Sequence, residues 1–333
     1  MRMNTVAVDV GYGNTKYAFS RGAELVTRMF PSLAPTATRS NVTGYGGGFF
    51  KTRDVITVQV DGAFYEVGPE VSLSSAYGDT GRTLSEDFAT TAEYAALLGG
   101  ALHYSGATEI DQLVLGLPVH TTQKYAQHLR DRFTGTLNFG NGDVSIRSVA
   151  GLPQPLGSLV TFMRQHGQDY DGRNAHLVID VGYFTTDWVV ARGYTMDDTR
   201  SGGVPGGSSR IYQKIAELIA EQEGEPVSDI ERIDQALRDT TTLWFYEKHI
   251  NLQPLLEQAR PVCHSAVKEI QSRVGRSEDI RSIILSGGGS ALYAPAIRAA
   301  FPRTPMKVLE SPCFANVRGF YDIGSSRQQR AAA

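Results

Sequence analysis

The feature that most constrains the fold is an internal repeat. Residues 6–19 read VAVDVGYGNTKYAF, and residues 177–190 read LVIDVGYFTTDWVV. The tetrapeptide Asp-Val-Gly-Tyr therefore occurs twice, 171 residues apart, and the apolar run at 113–116 recurs at the same offset at 284–287. A shared offset indicates that a whole domain has been duplicated. We expect two related domains, which suits a chain of 333 residues.

The sequence around each repeated tetrapeptide predicts the same local structure. An apolar run leads into Asp-x-Gly, and a second run of β-branched and aromatic residues follows. This pattern is typical of a β-hairpin with a tight glycine turn. In the first copy, a third strand is predicted over 24–30. Strands that alternate with helices along the chain predict mixed α/β sheets that are covered on both faces.

Helices are predicted in both halves, and the C-terminal tail is predicted to have no fixed structure. Ser85 is the candidate N-cap of the first helix. The tail, 325–333, is polar and then Ala-only, so we expect it to be disordered. The predicted helices cover 86–104, 121–133, 208–223, 228–241, 255–274 and 293–300.

Charge and composition exclude several classes of protein. A net charge of -3 gives no reason to expect direct contact with nucleic acid. No run approaches the ~20 apolar residues of a membrane helix, so no membrane partner is expected. The two cysteines, Cys263 and Cys313, have no metal-ligand spacing. Their small number suits a reducing cytoplasm, although a disulfide between them stays open.

The repeated turns have the chemistry of a phosphate site. Such turns expose successive backbone N–H groups, which bind anions. Two of them would hold a polyphosphate from both sides, with Asp9 and Asp180 beside it. Two carboxylates there require a cation, and hydrated Mg²⁺ suits this because it takes few direct protein ligands. Lys16 supplies positive charge for the phosphate oxygens, whereas its counterpart in the second copy is Asp187.

A glycine triplet provides a further candidate ligand contact. The apolar run that ends at Ser286 continues into Gly287, Gly288 and Gly289. Consecutive glycines let the backbone approach a flat or charged ligand, and the next helix adds N–H donors. The sequence has no G-x-x-x-x-G-K-[S/T] loop and no G-x-G-x-x-G after a strand. P-loop and Rossmann folds are therefore disfavoured.

Each of these signals also has a purely structural interpretation. Asp-x-Gly at the end of a strand is ordinarily only a turn, and a lysine such as Lys16 is more often solvated than bound to phosphate. A glycine triplet in isolation favours a flexible loop. The duplication, with the triplet in the second copy, is what favours the nucleotide interpretation.

Five motifs, in order along the chain, resemble those of the actin/ATPase superfamily. The opening Asp9–Lys16 and the segment Phe30-Pro31-Ser32 are most similar to the ParM/StbA plasmid-segregation branch and to archaeal actin-like proteins. The motifs span 6–321. They are the phosphate motifs Asp9-x-Gly11-x-x-Asn14-x-Lys16 and Asp180-x-Gly182-x-x-Thr185-Thr186-Asp187, the adenosine motif at 285–289, and connecting segments at 115–118 and 314–321, the latter with Asn316 and Gly319.

The resemblance implies an α/β actin-like ATPase fold, in which two duplicated RNase H-like domains surround a nucleotide cleft. Domain I would comprise 1–155 and 316–333, with a small inserted subdomain at about 36–80. Domain II would comprise 156–315. The cofactors implied are ATP and Mg²⁺. The function implied is ATP-driven assembly into head-to-tail filaments in the cytoplasm, with hydrolysis triggering disassembly and a DNA-binding adaptor protein as partner.

The resemblance also assigns roles to individual residues. Catalysis falls to Asp180, Gln154 and Asp9, and the contact to Mg²⁺ through water falls to Asp9 and Asp180. The nucleotide-binding residues are Gly11, Tyr12, Gly13, Asn14, Thr15, Lys16, Gly182, Tyr183, Phe184, Thr185, Thr186, Asp187, Gly287, Gly288 and Gly289.

One departure from the family pattern affects the mechanism. ParM and the chaperones of the superfamily carry a Glu in a Pro-Glu segment, where this chain has Pro153-Gln154. An amide cannot act as a general base, but it can orient the attacking water. We therefore expect slow hydrolysis unless assembly aligns the water. Tyr183 replaces the small residue usual in the second motif, although aromatic residues occur there in the StbA-like branch.

Three other functions occur within or near this superfamily. A metabolite kinase would need a catalytic Asp in an acceptor pocket of domain I, and Asp111 and Asp131 are more simply surface or cap residues. A chaperone is disfavoured because little sequence follows Tyr321. A nucleotide-dependent binding module that forms no filaments stays open, although both aspartates and Lys16 argue against an inactive site.

Overall fold

The chain forms two compact units. The computed structural model describes residues 1–37, 53–71, 85–167 and 170–332, with side chains to residue 327. Unit 1 comprises Met1–Tyr170 and Cys313–Ala333, and unit 2 comprises Asp171–Pro312. Each unit has its own cluster of buried apolar side chains. The inserted subdomain predicted at about 36–80 lies partly outside the described residues.

Unit 1 is built on a mixed sheet with the strand order β3-β2-β1-β6-β8-β7, and β9 also pairs with β6. β1 pairs antiparallel with β2 and parallel with β6. A separate hairpin is formed by β4 and β5. The strands are β1 (Arg2–Val10), β2 (Asn14–Arg21), β3 (Glu24–Pro31), β4 (Ile56–Val60), β5 (Ala63–Val67), β6 (Glu109–Leu117), β7 (Gly135–Asn138), β8 (Asp143–Ile146) and β9 (Val149–Pro153).

The helices of unit 1 are α1 (Ala92–Ser105), α2 (Val119–Phe133), α3 (Gln154–Gln165) and α9 (Ala315–Ala332). α3 packs on α9, and Ser158 Oγ lies 2.5 Å from Asn316 Oδ1. Thr161 Oγ1 donates to the Ala315 carbonyl at 2.7 Å. These contacts explain why α3 belongs to unit 1, whereas the sequence placed the domain boundary at residue 155.

Two sequence predictions in unit 1 are wrong. The helix predicted from residue 86 begins at Ala92, after a 3₁₀ turn at Phe88–Thr90. Its N-cap is Thr91, whose Oγ1 accepts a hydrogen bond from the Tyr94 N–H at 3.1 Å, and not Ser85. The tail predicted to be disordered continues α9 to Ala332, because its Ser, Arg, Gln and Ala residues are compatible with a helix and no Pro interrupts them.

Unit 2 repeats the core of this sheet. Its strand order is β12-β11-β10-β16-β17, and β13 also pairs with β11. β10 pairs antiparallel with β11 and parallel with β16, as β1 does with β2 and β6. The strands are β10 (Ala175–Val181), β11 (Thr185–Arg192), β12 (Thr195–Met196), β13 (Gly202–Pro205), β14 (Leu243–Phe245), β15 (Lys248–Ile250), β16 (Ile280–Ser286) and β17 (Met306–Val308).

The helices of unit 2 are α4 (Ser209–Glu223), α5 (Glu231–Arg238), α6 (Gln253–Ala259), α7 (His264–Val274) and α8 (Ser290–Ala300). α4 buries Ile211, Ile215 and Ile219, which are four residues apart and therefore share one face. The single helix predicted over 255–274 is wrong. A 3₁₀ turn with Pro261 separates α6 from α7, because proline has no N–H to continue the helix.

The strand pairings support the duplication and correct its register. In unit 1, the third residue before Asp9 pairs with Leu113 of the parallel strand β6. In unit 2, the third residue before Asp180 pairs with Ile283 of the parallel strand β16. These residues are 170 apart, so the sequence match of 113–116 with 284–287 is one residue out. The pairing of β10 with β16 shifts register between Ala175 and His176. A one-residue slip is not visible in an apolar run, where neighbouring residues are chemically alike.

Two further properties concern the described residues. No helix in this part of the chain is both long enough and apolar enough to span a membrane. Both cysteines are free thiols, Cys263 in a buried position and Cys313 in a half-buried one.

Candidate functional site

The first repeated motif forms the turn between β1 and β2. Val10 pairs with Thr15, and Gly11, Tyr12 and Gly13 form the turn before β2 begins at Asn14. The Ser32 N–H donates to the Gly13 carbonyl at 3.0 Å. The hydroxyls of Thr15 and Ser32 are 2.9 Å apart. Through Ser32, the predicted Phe-Pro-Ser segment therefore stabilises the turn between β1 and β2.

Three predicted site residues meet at the end of β1. Asp9 is buried, and its Oδ1 accepts a hydrogen bond from Gln154 Nε2 at 2.7 Å. Its other oxygen, Oδ2, lies 3.7 Å from Lys16 Nζ. The Asp9 carboxyl group therefore faces a cation on one side and an amide on the other. Because Nε2 faces Asp9, the Gln154 side chain retains Oε1 as an acceptor.

A cavity in unit 1 lies beside this cluster. The Tyr12 hydroxyl donates to the Ser85 carbonyl at 2.6 Å, and the Tyr12 ring stacks on Phe88 at 5.1 Å. Gln154 and the backbone of Gly11 also line the cavity. Sequence reasoning missed five more of its residues, Glu86, Phe88, Ala89, Tyr94 and Thr121. No local signal marks them as site residues.

The second repeated motif forms the turn between β10 and β11 in the same register. Val181 pairs with Thr186, as Val10 pairs with Thr15. Gly182 and Thr185 close the turn, since the Gly182 N–H donates to the Thr185 carbonyl at 2.9 Å. The duplicated sequence therefore folds into the same turn twice.

The charges at the second turn differ from those at the first. Asp180 lies directly opposite Asp187 on the neighbouring strand, and both are buried, with 6% and 1% of their surface exposed. Directly opposed residues of antiparallel strands share one face, where like charges destabilise the pair. Lys16 occupies the position of Asp187 in the first turn. The two turns thus have different charge complements on the same backbone.

The acidic pair fits a hydrated Mg²⁺ ion. Mg²⁺ keeps several waters and is held by one or two carboxylates together with substrate phosphates. Asp180 at the end of β10 and Asp187 opposite it on β11 provide two carboxyl groups of this kind. Asp9, the other residue predicted to hold the metal through water, belongs to unit 1. Within the described residues there is no group of three or more His, Cys, Asp or Glu side chains that could hold a metal directly.

A segment that sequence reasoning missed supports the second turn. The N–H groups of Ser208 and Ser209 donate to the carbonyls of Gly182 and Tyr183 at 3.0 and 2.9 Å. The Thr186 hydroxyl donates to the Gly206 carbonyl at 2.7 Å. This segment leads directly into α4. The pair Gly206-Gly207 before a helix is the signal that could have identified it.

The glycine triplet connects β16 to α8. Gly287 has φ +86°, and a Cβ there would collide with the Val181 carbonyl and the Asp180 carboxyl group. Packing alone therefore requires glycine at this position. A Cβ at Gly288 would meet nothing within 4 Å. The Gly289 N–H donates to the Val181 carbonyl at 2.9 Å. Gly288 is the member of the triplet whose surroundings are open.

Two family models match the chain. The N-terminal domain of actin like proteins matches residues 7–157. The C-terminal domain of the MreB-like archaeal actin homologue matches residues 178–299. Each repeated turn lies within one of these matches. A comparison with curated protein sequences gives no significant match.

Solved structures of similar proteins share this fold along almost the whole chain. The archaeal actin homologue Ta0583 is 21% identical with a TM-score of 0.76, over 97% of this chain and 100% of that one. Its complex with ADP gives 21% identity and a TM-score of 0.75, over 97% and 100%. A 15-stranded ParM filament from Clostridium botulinum gives 20% identity and a TM-score of 0.77, over 98% and 100%. These similarities show the actin-like ATPase fold.

Proposed function

Both halves of the chain match actin-like family models, so the chain belongs to the actin-like proteins, and we propose that it binds Mg-ATP, hydrolyses it and assembles into filaments. The observation that carries this proposal is the pair of equivalent turns, each preceded by a buried aspartate. Beside the first turn, Asp9 contacts Lys16 and Gln154, and beside the second, Asp180 lies opposite Asp187.

Nucleotide binding uses the backbone of the turns and a few side chains. N–H groups of the turns, other than that of Gly182, which donates to the Thr185 carbonyl, donate to the oxygens of the anionic phosphates. Lys16 contributes positive charge, and nucleotide phosphate competes with Asp9 for its ammonium group. Gly288 gives the adenosine part close access to the backbone, because its Cα position is open. The ADP complex of Ta0583 supports a nucleotide as ligand.

Hydrolysis requires a water that is oriented towards the γ-phosphorus. The water oxygen forms a bond to phosphorus, and the bond to the bridging oxygen breaks, so that the electron pair leaves with ADP. One water proton stays on the phosphate product and the other passes to solvent. Gln154 cannot accept a proton, but its Oε1 accepts a hydrogen bond that orients the water. Mg²⁺ held through water by Asp180 and Asp187 would neutralise the charge that develops on the phosphate oxygens.

Filament assembly requires a head-to-tail interface between copies of the chain. A heterologous interface of this kind propagates openly instead of closing into a ring. The similarity in fold to a ParM filament supports this assembly. We also propose the ParM-branch role, in which the filament moves plasmid DNA. With a net charge of -3, the chain would reach DNA through an adaptor protein.

Sedimentation and negative-stain electron microscopy test this proposal. The protein is incubated with ATP and Mg²⁺, with ADP and Mg²⁺, or with ATP and EDTA, and is then pelleted. We expect filaments in the pellet with Mg-ATP and far fewer in the other two samples. The variant Lys16→Ala should pellet poorly, and Lys124→Ala, at an exposed lysine of the same unit, should behave as wild type. Phosphate transfer to added sugars or carboxylates, without polymer, would instead indicate a kinase.

A further inference from the structure

The cavity in unit 1 contains a polar atom that the proposed function has not used. Tyr94 lies on α1 and is 1% exposed. Among the described residues, no group donates a hydrogen bond to its hydroxyl or accepts one from it. A buried hydroxyl without a partner destabilises a protein, because it loses its hydrogen bonds with water. A partner that fills the cavity would remove this penalty.

Packing explains the ring of Tyr94 but not its hydroxyl. The ring meets Phe88 edge-on at 5.7 Å and lies 6.4 Å from the ring of Phe133. Phenylalanine would make the same ring contacts and would leave no unpartnered oxygen. Tyr94 also lines the cavity, which offers its hydroxyl a place for a partner.

The size and lining of the cavity identify its occupant. The cavity, whose lining includes Tyr94, Thr121 and Gln154, admits a water-sized group, and a metabolite needs a larger pocket. Ordered water occupies a cavity when polar groups surround it, and this cavity offers at least two. Tyr94 offers an O–H donor, and Gln154 offers the Oε1 acceptor that remains when Nε2 faces Asp9.

The Tyr94 hydroxyl stays protonated across the working pH range. Burial, followed by the negative charge of Asp9, raises the pKa of Tyr94 far above its ordinary value. Tyr94 therefore acts as a donor, whereas Gln154 Oε1 can only accept. A water between them accepts one hydrogen bond and donates another, which leaves a lone pair of its oxygen free.

We propose that this cavity holds a water molecule bound by the Tyr94 hydroxyl, and that Tyr94 is a positioning residue that fixes the hydrolytic water together with Gln154. The second half of this statement rests on the proposed ATPase function. The first half does not, because the unpartnered hydroxyl requires a water whether or not nucleotide is bound.

A crystal structure of the nucleotide-free protein, at a resolution that shows ordered water, tests the first half. We expect density within hydrogen-bond distance of both Tyr94 Oη and Gln154 Oε1. An empty cavity, or a Tyr94 hydroxyl bonded to a protein group, would overturn the proposal. The same measurement on Tyr94→Phe should show that the water is lost or displaced.

Steady-state kinetics test the second half. For Tyr94→Phe we expect the kcat for ATP hydrolysis to fall about 10-fold, with the Kd for ATP unchanged and the unfolding temperature not lowered. Tyr17→Phe changes another buried tyrosine of the unit 1 core, outside the cavity, and should leave kcat unchanged. A normal kcat in Tyr94→Phe, or a fall matched by weaker ATP binding or lower stability, would refute a positioning role.

The crystal structure and the kinetics together distinguish a failure of the ATPase proposal from a failure of the Tyr94 proposal. If the wild-type protein binds ATP but releases no phosphate under any assembly condition, the ATPase proposal fails, and the role of Tyr94 in hydrolysis fails with it. The bound water is then still decided by the crystal structure. If the wild type hydrolyses ATP and Tyr94→Phe matches it, only the role of Tyr94 fails.

Discussion

The turn in unit 1 and the turn in unit 2 have the same tetrapeptide and the same strand register, but the aspartate of the tetrapeptide has a different cross-strand partner in each. In unit 1 the cross-strand partner of Asp9 is Lys16, and in unit 2 the partner of Asp180 is Asp187. The duplication has therefore kept the backbone and changed the charge. We propose that this single cross-strand position makes the first turn favour an anion and the second a cation.

This difference divides the proposed chemistry between the units. In unit 1, Lys16 provides the positive charge that binds phosphate, and Gln154 provides the amide that orients the attacking water. Unit 2 contributes the carboxyl groups for hydrated Mg²⁺, Asp180 and Asp187. If the division is correct, substitutions in unit 1 should weaken phosphate binding or the orientation of the attacking water. Substitutions in unit 2 should lower the rate of metal-dependent ATP hydrolysis.

The largest expected effect is that of Asp180→Ala. We expect ATP hydrolysis to fall by at least about 100-fold, because the variant loses the carboxyl group that holds the water of Mg²⁺. The protein should remain folded by circular dichroism. Asp198→Ala, at an exposed acid of the same unit, is the matched control. Hydrolysis at the wild-type rate in Asp180→Ala would remove Asp180 from the mechanism.

A second comparison separates packing from binding within the glycine triplet. Gly287→Ala should lower the free energy of unfolding by roughly 2–4 kcal/mol, because φ is positive and the new Cβ collides with the end of β10. Gly288→Ala should leave stability unchanged and weaken nucleotide binding, since its Cα faces open space. Chemical denaturation and nucleotide titration measure the two effects. Equal destabilisation by both changes would contradict the packing argument.

Lys16→Ala tests the anion-binding side of the comparison. We expect ATP affinity to fall about 10- to 100-fold, because a charge-assisted contact to phosphate is lost. Isothermal titration calorimetry measures the change, with Lys124→Ala as the control. Wild-type affinity in Lys16→Ala would mean that Lys16 only balances the charge of Asp9.

Gln154→Ala tests the water-orienting amide. Hydrolysis should slow by about 10-fold, and any filaments formed should persist longer, because the water loses its acceptor. Phosphate release and pelleting over time measure both. Gln123→Ala, at an exposed position of unit 1, should change neither. Normal turnover in Gln154→Ala would show that the water is oriented from elsewhere.

The smallest expected effect is a pH dependence specific to unit 2. Burial lowers the pKa of His176, although its contact with the Asp171 carbonyl opposes the shift. In the unfolded chain His176 takes up a proton at about pH 6.5, whereas in the folded state it does so only at lower pH. The free energy of unfolding should therefore fall as pH drops below about 6.5, by at most about 1.4 kcal/mol per pH unit.

Denaturation of wild type and His176→Asn at several pH values measures this effect. The slope below pH 6.5 should flatten in the variant, because asparagine takes up no proton. His128→Asn, at an exposed position of unit 1, should retain the wild-type slope. An unchanged slope in His176→Asn would place the acid sensitivity elsewhere.

The sequence predicted the parts of the fold that depend on local pattern. Both hairpins formed as expected, with glycine in each turn, and the third strand extends over Glu24–Pro31. These elements follow from apolar runs bounded by turn residues, which act between near neighbours. Asp9 contacts Lys16 and Gln154, and the assignment of these residues to a nucleotide site stays a prediction.

The parts that the sequence did not reveal depend on contacts between distant segments. The slip between β10 and β16 changes no residue type, so an apolar run conceals it. Ser208 and Ser209 support the second turn from beyond β13, about twenty-five residues along the chain. Tyr94 lies in an apolar helix, where an aromatic residue ordinarily indicates core packing, and only the cavity shows that its hydroxyl is unusual.

The central claim is that nucleotide controls assembly, and right-angle light scattering with phosphate release followed in the same tube tests it most directly. We predict that scattering rises when Mg-ATP is added above a critical protein concentration, and that scattering falls as phosphate accumulates. Scattering that stays flat with saturating Mg-ATP, at every protein concentration tested, would contradict it.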